Sequence, residues 1–161
     1  MPGIEEGGRL YVKGPNIMQG YLRADNPGVL EKAPDGWYDT GDIVDIDEEG
    51  FITILGRAKR FCKVAGEMIS LNAVEMAIAA AFSDFAHAVV AVPDNRKGEQ
   101  LVLITTHPSL DRKMLQDGLK NRVAEIMVPR QVLAAEELPL LGTGKTDYVA
   151  LNRMAREAVL A

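Results

Sequence analysis

The sequence predicts an α+β protein in two parts, and three observations predict it. Between Gly8 and Leu55 the chain alternates apolar and polar residues and is punctuated by glycine and proline turns, so this first part reads as strands and turns with a β-barrel-like character. From Asn72 onward, apolar residues at helical intervals interleave with β-branched runs, which describes a compact α+β module. Between the two, Arg57, Lys59, Arg60 and Lys63 place four cations within residues 57 to 63. That cluster reads either as a junction between modules or as a charged edge strand protected from aggregation. The expected division is residues 1–58 and residues 59–161.

The elements follow in order. Met1 to Gly8 reads as a surface loop, and the chain is expected to be a piece of a longer protein. Gly8 to Pro15 alternates Leu10 and Val12 with Arg9, Tyr11 and Lys13 as a strand does, and Gly14-Pro15 ends it. Asn26-Pro27-Gly28 and Pro34-Asp35-Gly36 give turns around at most one helical turn near Val29-Leu30. Ile43, Val44 and Ile46, the acidic turn Asp47-Glu48-Glu49-Gly50, and Phe51, Ile52, Ile54 and Leu55 form a hairpin. Asn72 and Glu75 have capping-box spacing ahead of a helix that aligns Val74, Ile78, Ala81 and Phe82. His87–Val92 and Leu101–Thr106 are strands joined by a polar loop, and Leu115, Leu119 and Val123 line a helix starting near Ser109 or Asp111. Gln131–Ala134 reads as a short strand, and Leu151, Met154, Ala155 and Val159 mark a last helix.

Composition removes several function classes. The 161 residues are 47% hydrophobic and 25% charged, as in globular proteins, and the net charge of -5 argues against unaided nucleic-acid binding. One cysteine, Cys62, excludes a disulfide framework and a thiolate metal cluster, and His87 and His107 lack metal-ligand spacing, so no metal site is expected from these side chains. No apolar run approaches the roughly 18 residues of a membrane span and no signal-peptide pattern opens the chain, so a cytoplasmic setting without membrane insertion is expected.

Three groups carry chemistry. Asp42 follows Thr40-Gly41, where its carboxylate can accept two hydrogen bonds from a vicinal diol such as a ribose or simply form an Asx turn. Arg57, across the hairpin, offers a planar fork suited to oxygen ligands, with Lys59 and Lys63 nearby in sequence. Cys62 among these cations is either a reactive thiol or a small half-buried apolar residue. Gly142-Thr143-Gly144-Lys145-Thr146 is not a phosphate-binding P-loop, because Pro139 stands where the first glycine belongs. It leaves Lys145 on a glycine tether, either a solvated loop lysine or a cation able to stabilise developing charge.

The order of these motifs resembles the carboxy-terminal third of the adenylate-forming superfamily, which includes acyl-CoA synthetases, luciferases and peptide-synthetase adenylation domains. The resemblance rests on Tyr38-Asp39-Thr40-Gly41-Asp42, on Gly56-Arg57 with Lys63 and Gly66-Glu67-Met68-Ile69-Ser70, and on Leu138-Pro139 with Gly144-Lys145. Within the superfamily, Ala58-Lys59-Arg60-Phe61 and Leu140 to Tyr148 look most like the synthetase part of bacterial bifunctional acylglycerophospholipid acyltransferase/acyl-carrier-protein synthetases.

The resemblance implies the end of a large domain followed by a mobile lid. Asp42 would hold ribose hydroxyls, Arg57 would contact the same nucleotide, and Lys59 would be the hinge. Lys145 would bridge carboxylate and α-phosphate during adenylation, and a rotated lid would bring Lys63 and the Gly66 loop toward a pantetheine thiol. The implied cofactors are ATP and Mg2+, held together with an N-terminal part whose phosphate loop and acyl pocket this chain lacks. The implied acceptor is the phosphopantetheine of acyl carrier protein or coenzyme A, the substrate a fatty acid, and the setting phospholipid acyl repair at the cytoplasmic face of the inner membrane. Alone, the chain is expected not to turn over. A carrier-protein docking module without catalysis is the alternative from another class. The sequence departs from the family pattern at Leu71, Ala73, Leu140, Leu141 and Tyr148.

Overall fold

A computed structural model describes residues 7–160 of the chain, leaving the expected loop at Met1–Glu6 outside the described residues. The chain divides into two compact units, Met1–Lys59 and Arg60–Ala161.

In the first unit, β1 (Gly8–Val12), β4 (Tyr38–Ile46) and β5 (Ile52–Arg57) form an antiparallel sheet in the order β1-β4-β5. The hairpin between β4 and β5 closes where expected. Asp47 Oδ1 accepts from the N–H groups of Glu49 and Phe51 at 3.0 and 2.8 Å, and Gly50 adopts the positive φ of 86° that the turn requires. The expected helical turn near Val29-Leu30 is absent, because Leu30 lies in β3 (Leu30–Glu31), paired with β2 (Tyr21–Leu22), and the short 3-10 turn is Pro34–Gly36. The two sheets stay open instead of closing into a barrel. Ile43 and Val44 are the buried apolar side chains of the β4–β5 hairpin, whereas Phe51, Ile52 and Ile54 are exposed.

The second unit is built on β9 (Gly98–Thr105). It pairs antiparallel with β8 (His87–Asp94) along its whole length, parallel with β10 (Gln131–Ala134), and with β6 (Phe61–Val64) through Val64 opposite Gly98. β7 (Glu67–Ser70) completes the sheet beside β6. Alternate residues of β8 and β9 supply two cores. Val89, Leu101 and Leu103 pack with Val74 and Ile78 of α1 (Leu71–Ala81) and Leu115 and Leu119 of α2 (Arg112–Leu119). Val90, Val92, Val102 and Ile104 pack with Leu151 and Ala155 of α3 (Tyr148–Leu160). Both faces of these strands are covered, which is why they read as continuous apolar runs.

Two helix boundaries differ from expectation. Ser70, not Asn72, caps α1 by accepting from the Ala73 N–H at 3.3 Å, so no capping box forms. Asp111 caps α2 through the Met114 N–H at 2.7 Å, but this helix ends at Leu119, and Val123 reaches the core from the segment beyond it. The mixed α+β class is as the sequence predicts. No helix of the described residues is long and apolar enough to cross a membrane.

Truncating Ile78 to alanine should cost about 2 to 5 kcal/mol in urea unfolding of the chain, since its side chain is 0% exposed. Ile54→Ala, at a side chain 66% exposed, should stay within about 0.5 kcal/mol.

Candidate functional site

Asp42 and Arg57 are brought together by strand register. They are directly opposed partners in β4 and β5, and Arg57 Nε stands 3.0 Å from Asp42 Oδ1 while Nη1 donates to the Thr40 carbonyl at 2.8 Å. The turn leading to Asp42 is held from below. Thr40 Oγ1 donates to the Leu10 carbonyl and accepts from the Asp42 N–H, both at 3.1 Å, and Gly41 takes a φ of 74°. Asp39 accepts two bonds from the Arg9 guanidinium and one from the Gly41 N–H at 2.9 Å, and the bond to Arg9 holds its carboxyl below the usual range. Arg9 was legible only as a polar position of β1. The Asp42 side chain is 15% exposed and that of Arg57 65% exposed, so an outer guanidinium lies against a covered carboxylate. Solvent screening at the exposed guanidinium keeps such a pair to about 0 to 1 kcal/mol.

The other predicted residues lie at the boundary or in the second unit. Lys59 sits in the 3-10 turn Ala58–Arg60, and the boundary between the units follows it. Lys63 and Gly66 belong to the β6–β7 hairpin, whose two-residue turn places Ala65 at φ 50° and Gly66 at φ 97°. Lys63 is exposed, and its N–H donates to Glu99 Oε2 at 2.7 Å. Cys62 is buried with 3% exposure. Burial, with the charge of Glu99 adding to it, pushes its thiol up to about 12, so the reactive reading is excluded.

Lys145 is exposed on a loop that is closed, not a free tether. Leu140 bridges Thr146, the Leu141 N–H donates to the Lys145 carbonyl at 2.7 Å, and the Gly144 N–H to the Leu141 carbonyl at 2.8 Å, with Gly144 at φ 79°. Asp147 ties the loop to α3. Its N–H donates to the Pro139 carbonyl at 2.8 Å, and its Oδ1 accepts from the Val149 and Ala150 N–H groups at 2.9 and 3.0 Å.

Behind that loop is a cluster that no motif announced. Arg60 Nη2 stands 2.6 Å from Glu75 Oε1, Arg60 Nη1 donates to the Val89 carbonyl at 3.0 Å, and the guanidinium carbon lies 3.9 Å from the centre of the Tyr148 ring. Glu75 also accepts from the Val89 N–H at 2.7 Å and from the Tyr148 hydroxyl at 3.1 to 3.2 Å. Burial, followed by the charge of Glu75, raises the Tyr148 phenol above its usual range. Glu75 and Tyr148 are 73 positions apart, and Glu75 had a local reading as a capping residue that concealed this role.

Residues 74–145 match the family described as AMP-binding enzyme C-terminal domain. That stretch carries the C-terminal domain of AMP-binding, adenylate-forming enzymes. It is 35% identical over 92% of its length to trans-cinnamate:CoA ligase, peroxisomal, of Petunia hybrida, covering 26% of that protein. It is 34% identical over 96% of its length to a long-chain-fatty-acid–CoA ligase of Salmonella typhimurium, covering 28% of it. ATP-bound MatB from Rhodopseudomonas palustris matches with a TM-score of 0.72 and 28% identity over 93% of this chain and 30% of that one. The chain thus spans less than a third of the length of these relatives. Among the described residues no three His, Cys, Asp or Glu side chains gather as metal ligands.

The Cys62 thiol should resist a disulfide reagent at about pH 8 until the chain unfolds. Because its proton is held to about 12 in the fold against 9.0 ordinarily, this group's contribution to stability is complete below pH 9.0 and is lost as pH rises toward 12, which alkaline unfolding titrations of wild type and Cys62→Ala would resolve.

Proposed function

We propose that the chain is the carboxy-terminal part of an ATP-dependent fatty acyl ligase that passes the acyl group to the phosphopantetheine thiol of acyl carrier protein. In the first half-reaction a fatty acid carboxylate oxygen attacks the α-phosphorus of ATP, the bond to pyrophosphate breaks, and acyl-adenylate forms. In the second the thiol, losing its proton, attacks the acyl carbonyl and AMP leaves. Asp42 holds the nucleotide's ribose hydroxyls and Arg57 contacts the same nucleotide in both, and Lys145 bridges the carboxylate and α-phosphate in the first. Lys59 acts as the hinge residue, and Lys63 and Gly66 border the path of the thiol. ATP is bound with Mg2+ by the rest of the protein, which supplies the charge neutralisation a phosphoryl group needs.

The observation that carries this reading is Lys145, an exposed ammonium on a hydrogen-bonded loop in a chain that carries the C-terminal domain of adenylate-forming enzymes. A loop held by its own backbone hydrogen bonds narrows the space its ammonium can reach, so less reorganisation is needed to meet developing negative charge than from a free tether. The preference for acyl carrier protein rests on the stretches Ala58 to Phe61 and Leu140 to Tyr148, and it carries with it a place in phospholipid acyl repair at the cytoplasmic face of the membrane. A coenzyme A ligase is the second reading, favoured by the likeness to the Salmonella typhimurium enzyme. The third, a docking module without catalysis, predicts binding of carrier protein and indifference to an acyl-adenylate analogue.

In the full-length protein, Lys145→Ala should slow acyl-adenylate formation by about 10²- to 10³-fold, on the order of 3 to 4 kcal/mol, and leave transfer from preformed acyl-adenylate near wild type. Equal behaviour of mutant and wild type in both half-reactions would remove Lys145 from the chemistry. Competition between acyl carrier protein and coenzyme A for labelled palmitate names the acceptor.

A further inference from the structure

The cluster of Arg60, Glu75 and Tyr148 lies within the second unit and joins four of its parts: the chain's entry at Arg60, the helix α1 through Glu75, the strand β8 through both backbone groups of Val89, and the first residue of α3. Tyr148 is gripped twice. Its hydroxyl donates to Glu75 at 3.1 to 3.2 Å and its ring faces the Arg60 guanidinium at 3.9 Å. The side chains of Arg60 and Glu75 are 15% and 13% exposed, so neither charge can be abandoned to solvent without moving the backbone that carries it.

Lys145 is three residues from Tyr148, and what lies between is tied down. Asp147 bonds to the Pro139 carbonyl on the far arm of the loop and caps α3. Leu138, at the base of that arm, packs on the core cluster around Leu151 and Ala155. One arm is therefore anchored by apolar packing and the other by Tyr148. Without the Tyr148 contacts, α3 stays seated through Leu151 and Ala155, but its first residue and the loop before it keep only the bonds of Asp147, and the ammonium samples a wider volume.

We propose that Arg60, Glu75 and Tyr148 are a positioning network for the Lys145 loop, acting in the adenylation step and not in transfer to the thiol. The proposal rests on the function assigned to Lys145 above. Its physical content is that adenylation needs the ammonium within hydrogen-bond reach of two oxygens at once, so a displacement of about 1 Å costs up to 10²-fold in rate. Transfer to the thiol makes no such demand of this side chain.

The test uses the full-length protein with Tyr148→Phe, which keeps the ring against Arg60 and removes the hydroxyl, and Glu75→Gln, which keeps an acceptor for the Val89 N–H and removes the charge. Both half-reactions are followed, together with thermal unfolding. The expected result is a fall of roughly 10- to 10²-fold in kcat for acyl-adenylate formation with KM for ATP unchanged, and transfer from preformed acyl-adenylate within about twofold of wild type. Amide exchange at Leu141 and Gly144 should quicken in Tyr148→Phe while the amides of β8 and β9 stay protected. Equal losses in the two half-reactions, or none in either variant, would overturn the network while leaving the ligase reading intact. If Tyr148→Phe unfolds, Glu75→Gln decides by the same split. A wild-type protein that forms no acyl-adenylate would overturn the ligase reading and the network with it.

Discussion

A guanidinium taken out of water must find its counter-charge and its acceptors inside the protein, and Arg60 imposes that demand on the second unit. Glu75 answers the charge as an ion pair in which Nη2 makes no well-aligned hydrogen bond, the Val89 carbonyl accepts one from Nη1, and Tyr148 covers the flat face. Removing one member of such a buried pair costs about 3 to 5 kcal/mol, so α1 is held in rotation and α3 in its starting position by one electrostatic requirement. Val89 transmits the constraint further, because it sits in β8, which runs beside β9 for its whole length. The two cores on either side of that strand pair then follow from alternation along β8 and β9.

The chain uses its ion pairs in two ways, separated by exposure. Arg60 with Glu75 is largely covered and serves to hold. Arg57 with Asp42 has an arginine 65% exposed, in a pair that water and salt weaken, so it can exchange partners at little cost. The framework under Asp42 does not share this softness, since Arg9, Asp39, Thr40 and Gly41 fix the turn through several bonds. Lys145 is a third case, for among the described residues no carboxylate forms a salt bridge with it.

How much of this was legible depended on whether the signal was local. The β4–β5 hairpin, the strands β8 and β9 and the helices α1 and α3 showed their periodicity, and Asp42, Arg57 and Lys145 stood in recognisable motifs. The β6–β7 hairpin did not show, because Lys63 and the cations before it dominated a stretch in which only Phe61, Cys62 and Val64 are apolar, and because Ala65 fills a left-handed turn position that glycine or asparagine usually marks. Glu75 looked like the end of a capping box although Ser70 does the capping, a conflict settled by tertiary demand on the carboxylate. The expected free tether at Gly142 to Lys145 was overturned by the bridge between Leu140 and Thr146, which composition cannot reveal. Barrel closure was likewise not recoverable, since alternation fixes which face a residue takes and not whether the sheet's edges meet.

The central claim is that Asp42, Arg57 and Lys145 serve an adenylation reaction, and the most direct measurement is exchange of labelled pyrophosphate into ATP by the full-length protein with and without palmitate. Reversible acyl-adenylate formation predicts exchange that appears only with the fatty acid and proceeds without any thiol acceptor. Exchange independent of the carboxylic acid, or its absence alongside release of ADP and phosphate, would contradict the account.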